Sequence, residues 1–74
     1  MEERLNQVFL DVLGVNAAQM SDDISPDSID TWDSMNNLRL ITAIEKEFNI
    51  ELTMDEIEQM LDVGSIKSVL SQKA

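Results

Sequence analysis

The segment SMNNLRLITAIEKEF, residues 34 to 48, constrains the fold more than any other part of the chain. Met35, Leu38, Leu40, Ile41, Ile44 and Phe48 recur at helical spacing. At about 100° per residue they spread over more than half of the helix circumference. A surface helix needs only an apolar stripe, whereas an arc this wide needs neighbours on two sides. The segment is therefore the central helix of a helical packing, with Asn36, Arg39, Ala43, Lys46 and Glu47 left for solvent. Glu45 falls within the apolar arc, and the sequence accounts for it only as a residue at the edge of packing.

The neighbours follow from the same periodicity. Residues 2 to 13 place Leu5, Val8, Phe9, Val12 and Leu13 on one stripe, and Gly14 ends this first helix. Thr53 followed by Glu56 matches a capping box, with Ile57, Met60 and Leu61 behind it at helical spacing, which predicts a short third helix. Gly64 and Ser65 then read as a turn and an N-cap before Ile66, Val69 and Leu70 of a fourth. The expected fold is all-α: a small four-helix bundle with a long first loop and a short third helix, one domain over residues 1 to 74. At 74 residues such a bundle buries roughly 60% of its unfolded surface and is marginally stable.

Between Val15 and Asp33 the periodicity gives way to NAAQMSDDISPDSIDTWD, which holds the single proline and many turn-forming Asp, Ser and Asn residues. A connection longer than about 12–15 residues inside a compact domain is either functional or conceals an element. Both are expected, with a short turn near Pro26 to Ile29 and with Ile24, Ile29 and Trp32 tacking the loop to the core. Trp32 itself reads as an aromatic plug at the start of the central helix or as a partner contact beside it.

The chain has no cysteine and no histidine. Disulfides, thiolate nucleophiles, imidazole bases and ordinary zinc sites are thereby excluded, and with them most catalysis, so the chain reads as no enzyme. MEERLNQVFLDVLG begins with charge and has no continuous apolar run. It is read as neither a secretory signal nor a membrane span, which makes the cytoplasm the expected compartment. A net charge of -10 argues against nucleic acid and anionic lipid and favours basic partners. Self-repulsion predicts that salt or divalent cations stabilise the fold. The twelve residues DDISPDSIDTWD do not make a calcium loop, because Ile24 and Pro26 stand at positions three and five, Asp27 where glycine is needed, and Asp33 rather than glutamate at the end. No metal site is expected.

Asp33 and Ser34 stand where the loop meets the central helix. Asp33 suits the N-cap, since its charge also favours the positive end of the helix dipole. Ser34 is then left in the first turn with an accessible hydroxyl. A catalytic serine needs a base and oxyanion donors, and neither histidine nor a glycine-flanked nucleophile elbow accompanies it. From the residues alone, Ser34 remains either part of a helix cap or a hydroxyl well placed for a phosphate ester, which free amides and the helix dipole would stabilise.

Asp33-Ser34-Met35 is a variant of an Asp-Ser-Leu motif, followed at the expected distances by LRLITAIEKEFNIEL, DEIEQM and VGSIKSVL. On these residues essentially the whole chain resembles the acyl carrier proteins of the phosphopantetheine-binding family. The resemblance implies a 4′-phosphopantetheine arm from coenzyme A on Ser34, attached by a phosphopantetheinyl transferase and charged with an acyl group as a thioester. It further implies that Asp33, Met35 and the exposed face carrying Arg39 meet the transferase and the acyl-activating or acyl-transferring enzymes. A monomeric carrier is expected, either free-standing or excised from a larger synthase. Asn36, Arg39 and Lys46 depart from the strongly acidic second helix of fatty-acid carriers, the acids lying instead at Asp22, Asp23, Asp27, Asp30 and Asp33, which points to a specialised lipid, polyketide or related pathway. Met20, Met54 and Met60, with Ile41, Ile44 and Ile57, read either as ordinary core or as a crevice for an acyl chain. The alternatives are a peptidyl or aminoacyl carrier, and an unmodified acidic helical interaction module.

Overall fold

Helix α1, Glu2–Leu13, buries Leu5, Val8, Phe9 and Leu13 and leaves its charges outside, as the stripe predicts. The computed structural model describes residues 2 to 73. Gly14, at φ 72°, turns the chain out of α1, and the N–H groups of Gly14 and Val15 return to the carbonyls of Leu10 and Phe9. Carbonyls at a helix end need such partners, and glycine adopts the left-handed conformation without a Cβ clash.

Helix α2, Ser34–Phe48, starts at an Asp33 cap and stops at Asn49, whose φ of 54° is the left-handed geometry that asparagine tolerates among non-glycine residues. It packs chiefly against α1. Arg4 ties the two together: its guanidinium lies 4.7 Å from the centre of the Phe48 ring and bonds both the Glu47 carboxylate and the Glu47 carbonyl. Leu40, Ile41 and Ile44 are buried, but Met35 and Leu38 are 65% and 68% exposed, and Ala43, expected in solvent, is half-buried. The covered arc is thus narrower than predicted, because the flanking elements close over the side marked by Leu40 and Ile44 and leave the start of the helix open.

Helix α3, Met54–Gln59, carries the capping box as read: Thr53 Oγ1 accepts from Glu56 N–H at 3.2 Å and Glu56 Oε1 from Thr53 N–H at 2.8 Å. Glu45 finds its reason here, since its carboxylate accepts the Leu52 N–H at 2.8 Å and holds the chain that leads into α3. Met60 is buried, whereas Leu61, expected on the inner face, is exposed because the helix has ended before it.

Helix α4, Val63–Lys73, begins earlier than expected. Asp62, not Ser65, caps it, accepting the Ser65 N–H at 2.7 Å, and Gly64 lies inside the first turn rather than in a separate turn. The first donors of α4 reach the loop instead: Val63 N–H to Ile24 O at 2.9 Å and Gly64 N–H to Asp22 O at 3.0 Å. A Cβ on Gly64 would meet Asp22 Cβ at 3.3 Å, so this glycine serves close approach.

The loop between α1 and α2 has the turn expected near Pro26, closed by Ser28 N–H to Ser25 O at 2.9 Å, and one element that periodicity misses. A single-turn 3₁₀ helix, Ala17–Gln19, is closed by a capping box between Asn16 and Gln19. Ile24 and Ile29 pack against the core as predicted, and Val15 and Trp32 are part of it, with Leu5, Phe9, Leu40, Ile44, Met60, Val63, Ile66, Val69 and Leu70.

Candidate functional site

The candidate site is a short stretch of loop whose geometry is fixed on every side before the chain turns into α2. Trp32 is 2% exposed and meets Phe9 edge to face at 5.4 Å between ring centres. This geometry favours aromatic pairs. Its indole Nε1 donates to Asn37 Oδ1 at 2.8 Å, so the plug is also tied to the helix it precedes. Of its two readings, the plug is the one its burial fits. Thr31 Oγ1 donates to Leu13 O at 2.8 Å, pinning the loop to the end of α1.

Asn36 acts twice. Its side-chain amide donates to Thr31 O, and its backbone N–H donates to the Asp33 carboxylate, each at 2.8 Å. Asn37 N–H closes the first helical bond to Asp33 O, also at 2.8 Å. Both asparagines therefore clamp the loop onto the first turn, a role that the sequence reading missed. The available signal was two adjacent residues of low helix propensity in a first turn, where such side chains bond nearby backbone.

Ser34 is the first residue of α2 and is exposed. Its hydroxyl makes no hydrogen bond to another described residue. The N–H groups of Ser34 and Met35 precede the first intrahelical donor, so helix geometry leaves them without an internal acceptor. An oxyanion on Ser34 Oγ would sit beside these donors at the positive end of the helix. The site fits a phosphodiester on observation as well as on principle: the hydroxyl is open, unpaired and carried on a rigid helix end.

The second Asp-Ser pair, Asp27-Ser28, offers a contrast. Ser28 lies in a turn, and its Oγ accepts the Ser25 N–H at 3.3 Å and lies 3.4 Å from Ser25 Oγ. It has a hydroxyl of the same chemistry but no helix end beneath it.

The structure puts Asp33, Ser34 and Met35 in one exposed corner. Arg39 lies a turn further along α2 and is exposed on the face shared by Met35, Leu38 and Thr42. The acids of the loop, Asp22, Asp23, Asp27, Asp30 and Asp33, are all exposed, and Asp22 is joined with Glu2 to Lys67 at 2.9 Å each. Those two carboxylates, Asp22 first, raise the Lys67 ammonium above its ordinary pKa.

The six residues considered for an acyl crevice divide between interior and surface. Ile44 and Met60 are core, Ile41 is buried at its edge, Met20 and Ile57 are half-buried, and Met54 is 70% exposed. A cleft of about 500 Å³ opens instead under the loop, between Leu13, Val15, Ile24, Ile29 and Thr31. Among the described residues no helix is long and apolar enough to cross a membrane, and no three acids converge as a metal-binding group would require.

Known proteins that this chain is similar to include carriers. The family described as phosphopantetheine attachment site matches residues 3–70. An acyl carrier protein of Sinorhizobium fredii is 35% identical, over 84% of this chain and 80% of its own length. One from Rhizobium meliloti matches to the same extent, and one from Nitratidesulfovibrio vulgaris is 30% identical over 99% of this chain and 96% of its own. The solution structure of a holo acyl carrier protein from Geobacter metallireducens superposes with a TM-score of 0.85 at 24% identity, covering 96% of this chain and 82% of that one, and shares the fold. An exposed serine at a rigid helix start, within a sequence that matches the attachment family almost end to end, places this chain in the phosphopantetheine-binding acyl carrier protein family.

Proposed function

We propose that Ser34 is the residue that carries the 4′-phosphopantetheine group of this acyl carrier protein. The observation that supports it is the open, unpaired hydroxyl at the first position of α2, behind a loop locked by Trp32, Asn36 and Asn37. When bound, the group supplies a thiol at the end of a long flexible arm, on which acyl groups are held as thioesters. The chain itself does no bond chemistry. With no histidine or cysteine, removing the Ser34 proton falls to the transferase, whereas this chain orients the hydroxyl and offers two free amides to the phosphate.

Asp33 then has two tasks. It caps α2 through Asn36 N–H, and it presents an anion beside the attachment point to basic groups on the transferase. Met35, on the other side of Ser34, offers an adaptable apolar contact, and Arg39 extends the same face. The chain acts as a monomeric cytoplasmic tether that raises the effective concentration of one intermediate near successive enzymes. Its mixed α2 face suits a specialised pathway better than general fatty-acid synthesis.

Incubation with coenzyme A and a promiscuous phosphopantetheinyl transferase, followed by intact-protein mass spectrometry, tests the assignment. The wild type gains one phosphopantetheine and Ser34→Ala gains none. A folded Ser34→Ala variant that is still modified would overturn the residue assignment.

A further inference from the structure

The chain has only five basic residues: Arg4, Arg39, Lys46, Lys67 and Lys73. Three of them are committed to internal ion pairs. Arg4 meets Glu47, Lys67 meets Glu2 and Asp22, and Lys73 meets Glu56. Among the described residues Arg39 and Lys46 make no ion pair, in a protein of net charge -10.

Their isolation is built into the sequence. The residues three and four positions from Arg39 are Met35, Asn36, Thr42 and Ala43, and those around Lys46 are Thr42, Ala43, Asn49 and Ile50. None is acidic, so neither cation has an intrahelical partner within reach. Asp11 of α1 borders the same depression as Lys46, but it accepts from Gln7 and makes no ion pair with Lys46. Glu47, the other acid there, is taken by Arg4.

The two cations are also neighbours. Seven residues apart, they lie two turns from each other on one side of α2. With Leu38, Thr42 and Ala43 they border a shallow groove of about 350 Å³. Leu38 is exposed although it is a large apolar residue, and Met35 continues the apolar strip towards Ser34. The surface is thus an apolar strip with an unpaired cation on each side of Thr42, set in a field otherwise dominated by carboxylates.

We infer that the groove of Leu38, Arg39, Thr42 and Lys46 is a docking site for a partner enzyme whose contact surface presents an apolar side chain flanked by carboxylates. The occupant follows from charge complementarity. A basic surface drawn by the whole-molecule charge would be repelled locally at this groove, whereas an acidic one would be repelled everywhere else. A partner that carries carboxylates only where they meet Arg39 and Lys46 satisfies both constraints, and such a pattern discriminates among enzymes more sharply than net charge does. The inference rests on the carrier reading, because it takes the occupant to be an enzyme that acts on the arm. It goes beyond that reading by stating what the enzyme must look like.

The test uses the full ¹⁵N-labelled chain and two helical peptide probes. Both present the same pair of leucines one turn apart. One flanks them with glutamates and the other with lysines. Titration of the glutamate probe is expected to shift the amide resonances of Leu38, Arg39, Thr42 and Lys46. Its affinity should fall by about tenfold in Arg39→Glu/Lys46→Glu. The neutral variant Arg39→Gln/Lys46→Gln falls between the two and guards against misfolding of the reversal. Equal or tighter binding of the lysine probe at this groove would overturn the inference. So would shifts elsewhere, no binding by either probe, or self-association of the wild type through these residues. Loading of wild-type Ser34, read separately by mass, fails only if the carrier reading fails.

Discussion

At the residue scale, the corner around Ser34 depends on the side chains that pack and bond behind it. Trp32 fills the space between α1 and the start of α2, and its removal would leave a cavity beside Phe9. Trp32→Ala should therefore cost about 3–5 kcal/mol, which is a large part of the stability of so small a domain. Replacing Asn37 with alanine is milder. It strips the indole N–H of its acceptor and should cost about 1–3 kcal/mol, with the aromatic packing kept. Urea denaturation of both variants checks the order, and an Asn37→Ala cost equal to that of Trp32→Ala would contradict it. The Asp33 cap and the exposed first-turn position of Ser34 were legible in the sequence because capping preference acts on neighbours. The clamp by Asn36 was not, because its acceptor, Thr31 O, is placed by the course of the loop and not by any pattern in the residues. Nor was the role of Glu45, whose partner, the Leu52 N–H, lies beyond the end of its own helix.

At the element scale, α3 is the α-helix held least by burial. None of its six residues is buried, and it is secured by Glu45 at Leu52, by the Thr53 and Glu56 box, and by Lys73, which meets Glu56 at 2.9 and 3.1 Å. The Thr53 N–H, and after it the Lys73 ammonium, hold the Glu56 carboxyl below its ordinary pKa of 4.5. The Ser65 N–H does the same for Asp62 at the start of α4, relative to 3.8. A depressed folded pKa means that stability is present above the unfolded value and is lost as pH falls through the folded one. Glu56→Gln should therefore lower the Tm at neutral pH, and the gap should narrow as pH falls from 4.5 through the depressed folded value, where the wild-type carboxyl also takes up a proton. A gap that stays constant from pH 7 to pH 3 would contradict this. Lys67 works in the opposite sense: its raised pKa contributes stability that is lost only as pH climbs past its ordinary value of 10.5. The helices themselves were legible from periodicity and capping boxes. The early start of α4 was not, since its donors are satisfied by Asp22 and Ile24, far away in the sequence. The 3₁₀ turn had a local signal in Asn16 and Gln19, but a single turn is too short to carry a period.

At the scale of the whole molecule, net charge opposes the fold. Fifteen acids against five bases leave the fold self-repelling, and three of the bases are spent on joining α1 to α2, the loop to α4, and α3 to α4. Raising sodium chloride from about 0.01 M to 0.5 M shortens the screening length severalfold. The Tm should rise, because repulsion among many exposed acids outweighs a few partly exposed pairs. A Tm that falls with salt would show that the pairs dominate. The breadth of the central helix was overestimated from the sequence because Met35 and Leu38 count as apolar in any pattern, and only the packed structure shows that they face outwards.

The central claim is that, of all its hydroxyls, this chain uses Ser34 to hold the arm. Trypsin would release Leu5 to Arg39 as one peptide, and it contains Ser21, Ser25, Ser28, Thr31 and Ser34. Tandem mass spectrometry of that peptide from transferase-loaded protein is the most direct test. The account predicts a single phosphopantetheine, with fragment ions that locate it on Ser34. Fragments that place it on Ser28 or any other hydroxyl would contradict the account.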